Sequence, residues 1–233
     1  MSEHDAGQSR RRADNVAMGI GLSVLAIIIF GVQDAVTKSL VQTHSPFQIA
    51  MVRFWALAAF SLWLVSRQAP LRQAFRSRFP VLQVARAVLL VIDIWAFAMA
   101  LRTVPLAELQ AGVLVYPLLA TLVAIPILGE RVGVFRLLAV AVGFAGALVI
   151  VRPGGLPIDG GVLFALLSAA TYALYIALTR KVSSVDTTAT SMVYAGVGGL
   201  VLTTAVGVFF WTPFEGEALW QMAFMTVSST AAH

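Results

Sequence analysis

Four ionisable side chains lie inside long apolar segments of this 233-residue sequence, where a charge is costly and is usually functional. They are Asp34, Arg53, Arg86 and Asp93. An arginine stays charged, so it can pair with a carboxylate or hold an anionic solute group, but it cannot carry a proton. An aspartate can carry one, since burial and a neighbouring arginine compete to set its protonation state. The set predicts either a solute path with proton exchange or a structural ion pair between helices.

The composition identifies the surroundings of these side chains. Hydrophobic residues make up 59% of the chain and charged residues 12%, which is more apolar surface than a soluble domain can bury. Apolar windows of about 20 residues, enough to cross about 30 Å of hydrocarbon, recur along the chain. We predict an all-α polytopic membrane protein, because open sheets cannot satisfy their backbone in lipid. Its roughly eight transmembrane helices are expected at 17–39, 47–66, 80–101, 105–128, 133–151, 160–179, 189–211 and 218–233.

Helical geometry predicts that the ionisable side chains share one cavity. Asp34 lies about 7 to 8 Å below the outer end of its helix, and Arg53 lies at a similar depth in the next helix. Arg86 and Asp93 are separated by two turns and face the same side. Lys38 follows Asp34 by one turn, with anchoring at the interface as its alternative role. We expect a polar cavity between the first three helices.

Lys and Arg are distributed unevenly between alternate loops, which predicts the orientation. With the N-terminus inside, 11 of the 16 Lys and Arg residues are cytoplasmic: Arg10, Arg11, Arg12, Arg67, Arg72, Arg76, Arg78, Arg131, Arg136, Arg180 and Lys181. The net charge of +5 is then explained by contact with the inner leaflet of a lipid bilayer. No nucleic-acid partner needs to be invoked.

Enzyme chemistry finds no support in the sequence. His4, His44 and His233 are far apart without ligand spacing, and the chain has no cysteine. Motifs of the HExxH, GxSxG and phosphate-loop types are absent. We therefore predict neither catalysis, nor a metal, nor a cofactor.

An internal repeat is visible between the two halves of the chain. The segment FGVQDAVTKSL at 30–40 superposes on YALYIALTRKV at 172–182, which pairs Thr37 with Thr179. An odd number of predicted spans separates the copies, so they are inverted relative to each other in the bilayer. Inverted repeats are typical of secondary transporters.

Several motifs, taken in order, resemble the EamA domain of the drug/metabolite transporter superfamily. Its first-helix pattern W-G-x-N-x-x-x-x-K and second-helix spacing P-x(6)-R are matched by Phe30, Gly31, Gln33, Lys38, Pro46 and Arg53. The segment from ALRTVP to VIVRPG, at 100–154, looks like the fourth and fifth helices of the family, with Pro117 in the middle and Gly129-Glu130 closing the fourth. The pattern F-x(3)-D-A-x(2)-K at 30–38 is similar to a subgroup that includes riboflavin and S-adenosylmethionine carriers.

The resemblance implies ten helices in two five-helix repeats that move a small organic solute by alternating access without ATP. It implies a bacterial inner-membrane location, with the N-terminus cytoplasmic. Besides the four ionisable residues, we expect Gln33, Tyr116 and Tyr175 to line the substrate path. Pro117 is the candidate for a helix break and Glu130 for gating. A homo-oligomer is a further expectation.

The domain organisation departs from that family pattern. We expect a cytoplasmic tail at 1–16, a first repeat at 17–152, a linking loop at 153–159 and a partial second repeat at 160–233. Aligned on the first repeat, the second ends inside its third helix. The alternatives to a transporter are therefore a non-transporting truncated remnant or a membrane-embedded assembly subunit.

Overall fold

The computed structural model describes residues 3–68, 70–113, 115–129, 133–151 and 160–231, and all regular structure within them is helical. The helices are α1 (Glu3–Thr43), α2 (Pro46–Gln68), α3 (Leu71–Ala74), α4 (Pro80–Thr103), α5 (Leu106–Val113), α6 (Tyr116–Leu128), α7 (Val134–Val151), α8 (Gly160–Ser183), α9 (Thr188–Gly207) and α10 (Glu217–Ala231). A 3₁₀ turn at Val208–Phe210 extends α9. The predicted all-α fold class is confirmed.

Five segments of these helices are long and apolar enough to cross a membrane: Met18–Thr43, Pro46–Arg67, Pro80–Thr103, Gly160–Ser183 and Thr188–Phe210. The other predicted windows also coincide with helices, but with shorter ones. The window at 105–128 is divided into α5 and α6, and Pro117 lies in the first turn of α6. This position suits proline because the first turn has no intrahelical acceptor for its missing N–H.

Local sequence signals explain several helix ends. Pro80 opens α4, and the side chain of Thr187 caps α9 by accepting a hydrogen bond from the backbone N–H of Thr190. Gly129 ends α6 with a φ of 68°, a left-handed conformation that glycine adopts without steric cost.

The bundle is built mainly by contacts between the two halves of the chain. In the described residues α4 packs most extensively on α8 and also contacts α9, while α2 packs on α9 and α6 on α8. On the other side, α1 contacts α10 and α4, around a core that includes Leu40, Leu101 and Met225. Outward-facing apolar side chains such as Phe135, which is 91% exposed, are suited to lipid rather than water.

Side-chain contacts define two ends of the bundle. At one, which we call the Asp186 end, the turn before α4 meets the turn between α8 and α9 through Ser77 and Asp186. At the other, the Gln48 end, the start of α2 meets the segment after α9 through Gln48 and Thr212. Successive spanning helices therefore run in alternate directions, as the sequence predicted.

Candidate functional site

Asp34 on α1 and Arg53 on α2 are neighbours without forming an ion pair. The two groups interact electrostatically, but in the described residues no nitrogen–oxygen contact within 4.0 Å joins them. The Asp34 carboxylate instead accepts a hydrogen bond from the side-chain amide of Gln110 on α5. The direct ion pair that was the structural alternative is not formed.

The guanidinium of Arg53 keeps its donors available. Arg53 is half-buried, and it donates no hydrogen bond to any part of the chain that the structure describes. A guanidinium whose donors meet no acceptor among the described residues is suited to a carbonyl or anionic group of a solute.

Asp93 connects the two halves of the bundle. The hydroxyl of Ser168 on α8 donates a hydrogen bond of 2.6 Å to a carboxylate oxygen of Asp93 on α4. Tyr172, which lies one turn further along α8, also interacts electrostatically with Asp93. The acid therefore lies where α4 and α8 pack together.

Arg86 is the most deeply buried of the four ionisable residues, with 4% of its surface exposed. Its Nε donates to the hydroxyl of Thr179 at 2.9 Å and its Nη1 donates to the side-chain oxygen of Gln83 at 2.6 Å. The guanidinium carbon lies 5.3 Å from the centre of the Tyr175 ring, within the range of a cation–π contact. These contacts fix the guanidinium while its Nη2 donates to no described residue.

Three tyrosine rings form a chain of contacts that begins at Arg86. The ring of Tyr172 stacks on Tyr175 with centroids 5.9 Å apart, and Tyr116 on α6 meets Tyr172 edge-on at 4.8 Å. The structure thus brings the predicted cavity residues Tyr116 and Tyr175 together through Tyr172. Such a cluster offers flat apolar surfaces with polar edges.

A cavity of about 260 Å³ lies at the Asp186 end, between α2, α4, α8 and α9. Its walls come from both halves of the chain rather than from the first three helices alone. They include Arg86, Tyr175, Thr179, Asp186, Thr188 and Ser191. Hydroxyl groups, one buried cation and an aromatic ring therefore converge on one space.

The remaining predicted residues are placed differently. Gln33 is 3% exposed and its side-chain nitrogen has no partner among the described residues. It shares a face of α1 with Thr37, whose hydroxyl lies 3.6 Å from the sulfur of Met225 on α10. Lys38 donates to the backbone carbonyls of Leu101 and Val104 at the end of α4, so it ties α1 to that end of α4. Glu130 lies outside the described residues.

Four side chains with contacts to this site were missed from the sequence: Gln110, Ser168, Tyr172 and Asp186. Gln110 is a polar residue at membrane depth, so the rule that selected Asp34 could also have selected it. Ser168, Tyr172 and Tyr175 recur at helical spacing on α8, which indicates one polar stripe. The importance of Asp186 depends on a contact between distant turns, for which the sequence carries no local signal.

The helical bundle and its buried ionisable groups define a multi-pass membrane protein with a polar interior. Residues 17–152 match the EamA-like transporter family. The chain belongs to that family, a family of transporters rather than enzymes, as the sequence predicted.

Curated relatives carry transporter names. The chain is 31% identical over 194 residues to a riboflavin transporter of Rhizobium johnstonii, a match that covers 79% of this chain and 63% of the relative. It is 22% identical over 200 residues to an S-adenosylmethionine uptake transporter of Rickettsia prowazekii, covering 85% of this chain and 67% of the relative. A riboflavin transporter of Vibrio cholerae is 29% identical over 178 residues, 74% of this chain and 58% of that protein. The chain thus spans only 58 to 67% of the length of these relatives. No solved structure matches it.

Proposed function

We propose that this protein is a secondary transporter that moves a small organic metabolite across the bacterial inner membrane by alternating access, with proton exchange at Asp34 or Asp93. The observation that carries the proposal is the position of Arg86, a buried cation with a free donor in a cavity whose walls come from both halves of the chain. A site between two halves is where a transporter of inverted repeats binds its solute.

Three polar groups of α4 lie on one face of the helix. Gln83, Arg86 and Asp93 recur at intervals of three and seven residues, so they follow one face of the helix over about 15 Å. Asp186 lies at one end of this face, where it accepts a hydrogen bond from Gln83, and Ser168 lies at the other, beside Asp93. A solute that moves along this face would leave the hydrogen-bonding groups near Asp186 and meet those near Asp93.

The names of the relatives indicate which solutes to try first. Riboflavin and S-adenosylmethionine each join a flat heterocyclic ring to a polar chain. Tyr172 and Tyr175 offer ring surfaces for such a solute, and Arg53 and Arg86 offer hydrogen-bond donors for its carbonyl or carboxylate groups. The match to both kinds of relative supports a solute of this chemical class.

The distribution of Lys and Arg supports an orientation with a cytoplasmic N-terminus. In that orientation the Gln48 end faces outward, because one spanning helix, α1, separates it from the N-terminus. The Asp186 end faces the cytoplasm, because two spanning helices, α1 and α2, separate Ser77 from the N-terminus. The cavity beside Arg86 then lies on the cytoplasmic side.

The test is uptake by the purified protein in liposomes. Radiolabelled riboflavin and S-adenosylmethionine would be supplied separately, with and without an imposed pH gradient. We expect saturable uptake of one of them, faster with the gradient in one direction. Uptake equal to that of empty liposomes for both solutes, from protein whose circular dichroism shows it to be helical, would contradict the proposal.

A further inference from the structure

A clasp of hydrogen bonds joins the two halves of the chain at the Asp186 end. One carboxylate oxygen of Asp186 accepts from the hydroxyl of Ser77 and, at 2.9 Å, from the side-chain amide of Gln83. The other oxygen accepts from the backbone N–H of Arg78 at 3.0 Å. The carboxylate therefore ties the turn between α8 and α9 to the turn before α4.

A second clasp lies at the Gln48 end. Gln48 is fully buried, and its side-chain oxygen accepts from the backbone N–H and the hydroxyl of Thr212 at 3.1 and 2.9 Å. Its side-chain nitrogen donates to the backbone carbonyl of Thr212. Beside this pair, the ring of His44 stacks on Phe214 with centroids 4.6 Å apart. Here the start of α2 is tied to the segment between α9 and α10.

The two clasps occupy matching places in the two halves. Asp186 lies between the first and second spanning helices of the second half, while His44 and Gln48 lie at the corresponding junction of the first half. Ser77 lies between the second and third long helices of the first half, α2 and α4, and Thr212 lies between α9 and α10 in the second half. Each clasp therefore joins the first junction of one half to the second junction of the other.

We propose that these two clasps are the gates of the transporter, and that Asp186 with Ser77, and Gln48 with Thr212, set which end of the path opens. The inference rests on the proposed function. The hydrogen bonds of both clasps are formed in this structure. Alternating access requires one end to open while the other stays shut, and two clasps at inverted positions provide that choice.

The cavity makes the Asp186 clasp the one whose opening is easiest to detect. Asp186 itself belongs to the cavity wall, and so does Ala195 on α9. Loss of the clasp would expose Ala195 to the solution at the Asp186 end. Loss of the Gln48 clasp would favour the state that is open at the far end, and would protect Ala195 from the Asp186 end.

The absence of cysteine from the chain allows a direct test. A single reporter, Ala195→Cys, would be labelled with a membrane-impermeant maleimide applied only at the Asp186 end of reconstituted protein. We expect Asp186→Asn to raise the labelling rate about tenfold or more, because the change replaces one accepting oxygen of this clasp with an NH2 group that faces donors. We expect Gln48→Leu to lower the rate, because it removes all three hydrogen bonds between Gln48 and Thr212 in the other clasp. Ser184→Ala, an exposed hydroxyl in the same turn as Asp186, is the matched control and should leave the rate unchanged.

Opposite effects of the two clasp variants would support gating, since general loosening of the fold would raise labelling in both. An unchanged rate in Asp186→Asn, or a rise in both variants, would overturn the proposal. If Asp186→Asn does not fold, Ser77→Ala removes one bond of the same clasp and should act in the same direction. The labelling needs no solute, so a failure of gating and a failure of transport are measured separately.

Discussion

The hydroxyl of Ser168 lies 2.6 Å from a carboxylate oxygen of Asp93, and this hydrogen bond joins the first half of the chain to the second inside the membrane. An ionised Asp93 can only accept from Ser168, whereas a protonated Asp93 can also donate. A proton on Asp93 therefore changes the contact between α4 and α8. In the proposed mechanism, this contact is where protonation of Asp93 acts on the packing of α4 against α8.

Replacement of Asp93 tests that coupling. In Asp93→Asn the side chain keeps its shape and its bond with Ser168 but cannot exchange a proton at physiological pH. We expect exchange of labelled for unlabelled solute to continue, while acceleration of uptake by a pH gradient disappears. Ser168→Ala is the control, because it removes the bond and keeps the titratable group. If the gradient accelerates uptake equally in Asp93→Asn and the wild type, Asp93 does not carry the coupled proton.

The contact between Arg86 and Tyr175 predicts that transport depends on the guanidinium group of Arg86 and on the ring of Tyr175, but not on the tyrosine hydroxyl. Arg86→Lys keeps the charge but loses the fixed fork that donates to both Thr179 and Gln83, so the apparent KM should rise about tenfold or more. Tyr175→Phe keeps the ring beneath the guanidinium and should transport normally, while Tyr175→Ala should resemble Arg86→Lys. KM values from initial uptake rates distinguish these cases. A normal KM in Arg86→Lys would remove Arg86 from the path.

Close packing of α2 on α9 depends on Gly199. A Cβ atom at this position would lie 2.2 Å from ring atoms of Phe54, which is far inside van der Waals contact. We expect Gly199→Ala to destabilise the protein by about 1–3 kcal/mol, seen as a lower Tm in detergent. Gly31→Ala is the control, because a Cβ there meets nothing within 4 Å. Equal melting of the two variants would show that α2 and α9 are not packed as described.

The hydrogen bonds of Asp186 predict that the stability of the protein depends on pH. Burial raises the pKa of this carboxyl, but the hydrogen bonds from Ser77, Arg78 and Gln83, with the charge of Arg86, outweigh it and hold the pKa below the ordinary value of 3.8. The stabilisation is therefore complete above the ordinary pKa and is lost as the pH falls through the lowered one. The wild type should be more stable than Asp186→Asn at neutral pH, and this difference should shrink below about pH 4. A difference in Tm that stays constant down to pH 3 would contradict this account.

The sequence was sufficient to predict the membrane setting, because this follows from apolar windows and the rise per residue of a helix. It correctly placed Asp34 beside Arg53. It did not predict that Gln110 binds Asp34 or that Ser168 binds Asp93, since these contacts depend on how each helix is rotated. In a lipid-facing bundle the helices are apolar on most faces, so hydrophobic periodicity gives little information on rotation. The tie between Ser77 and Asp186 depends on tertiary packing alone.

The most direct test of the central claim compares two arginines of α2. Arg53 lies beside Asp34 with its donors free, while Arg67 lies at the end of the helix, exposed and against the ring of Trp63. The measurement is the initial rate of solute uptake by liposomes that contain equal amounts of folded Arg53→Ala or Arg67→Ala. We expect Arg53→Ala to lose uptake by at least about 30-fold, as for loss of a buried charged contact, and Arg67→Ala to match the wild type. Equal uptake by the two variants would contradict a solute path through the buried ionisable residues.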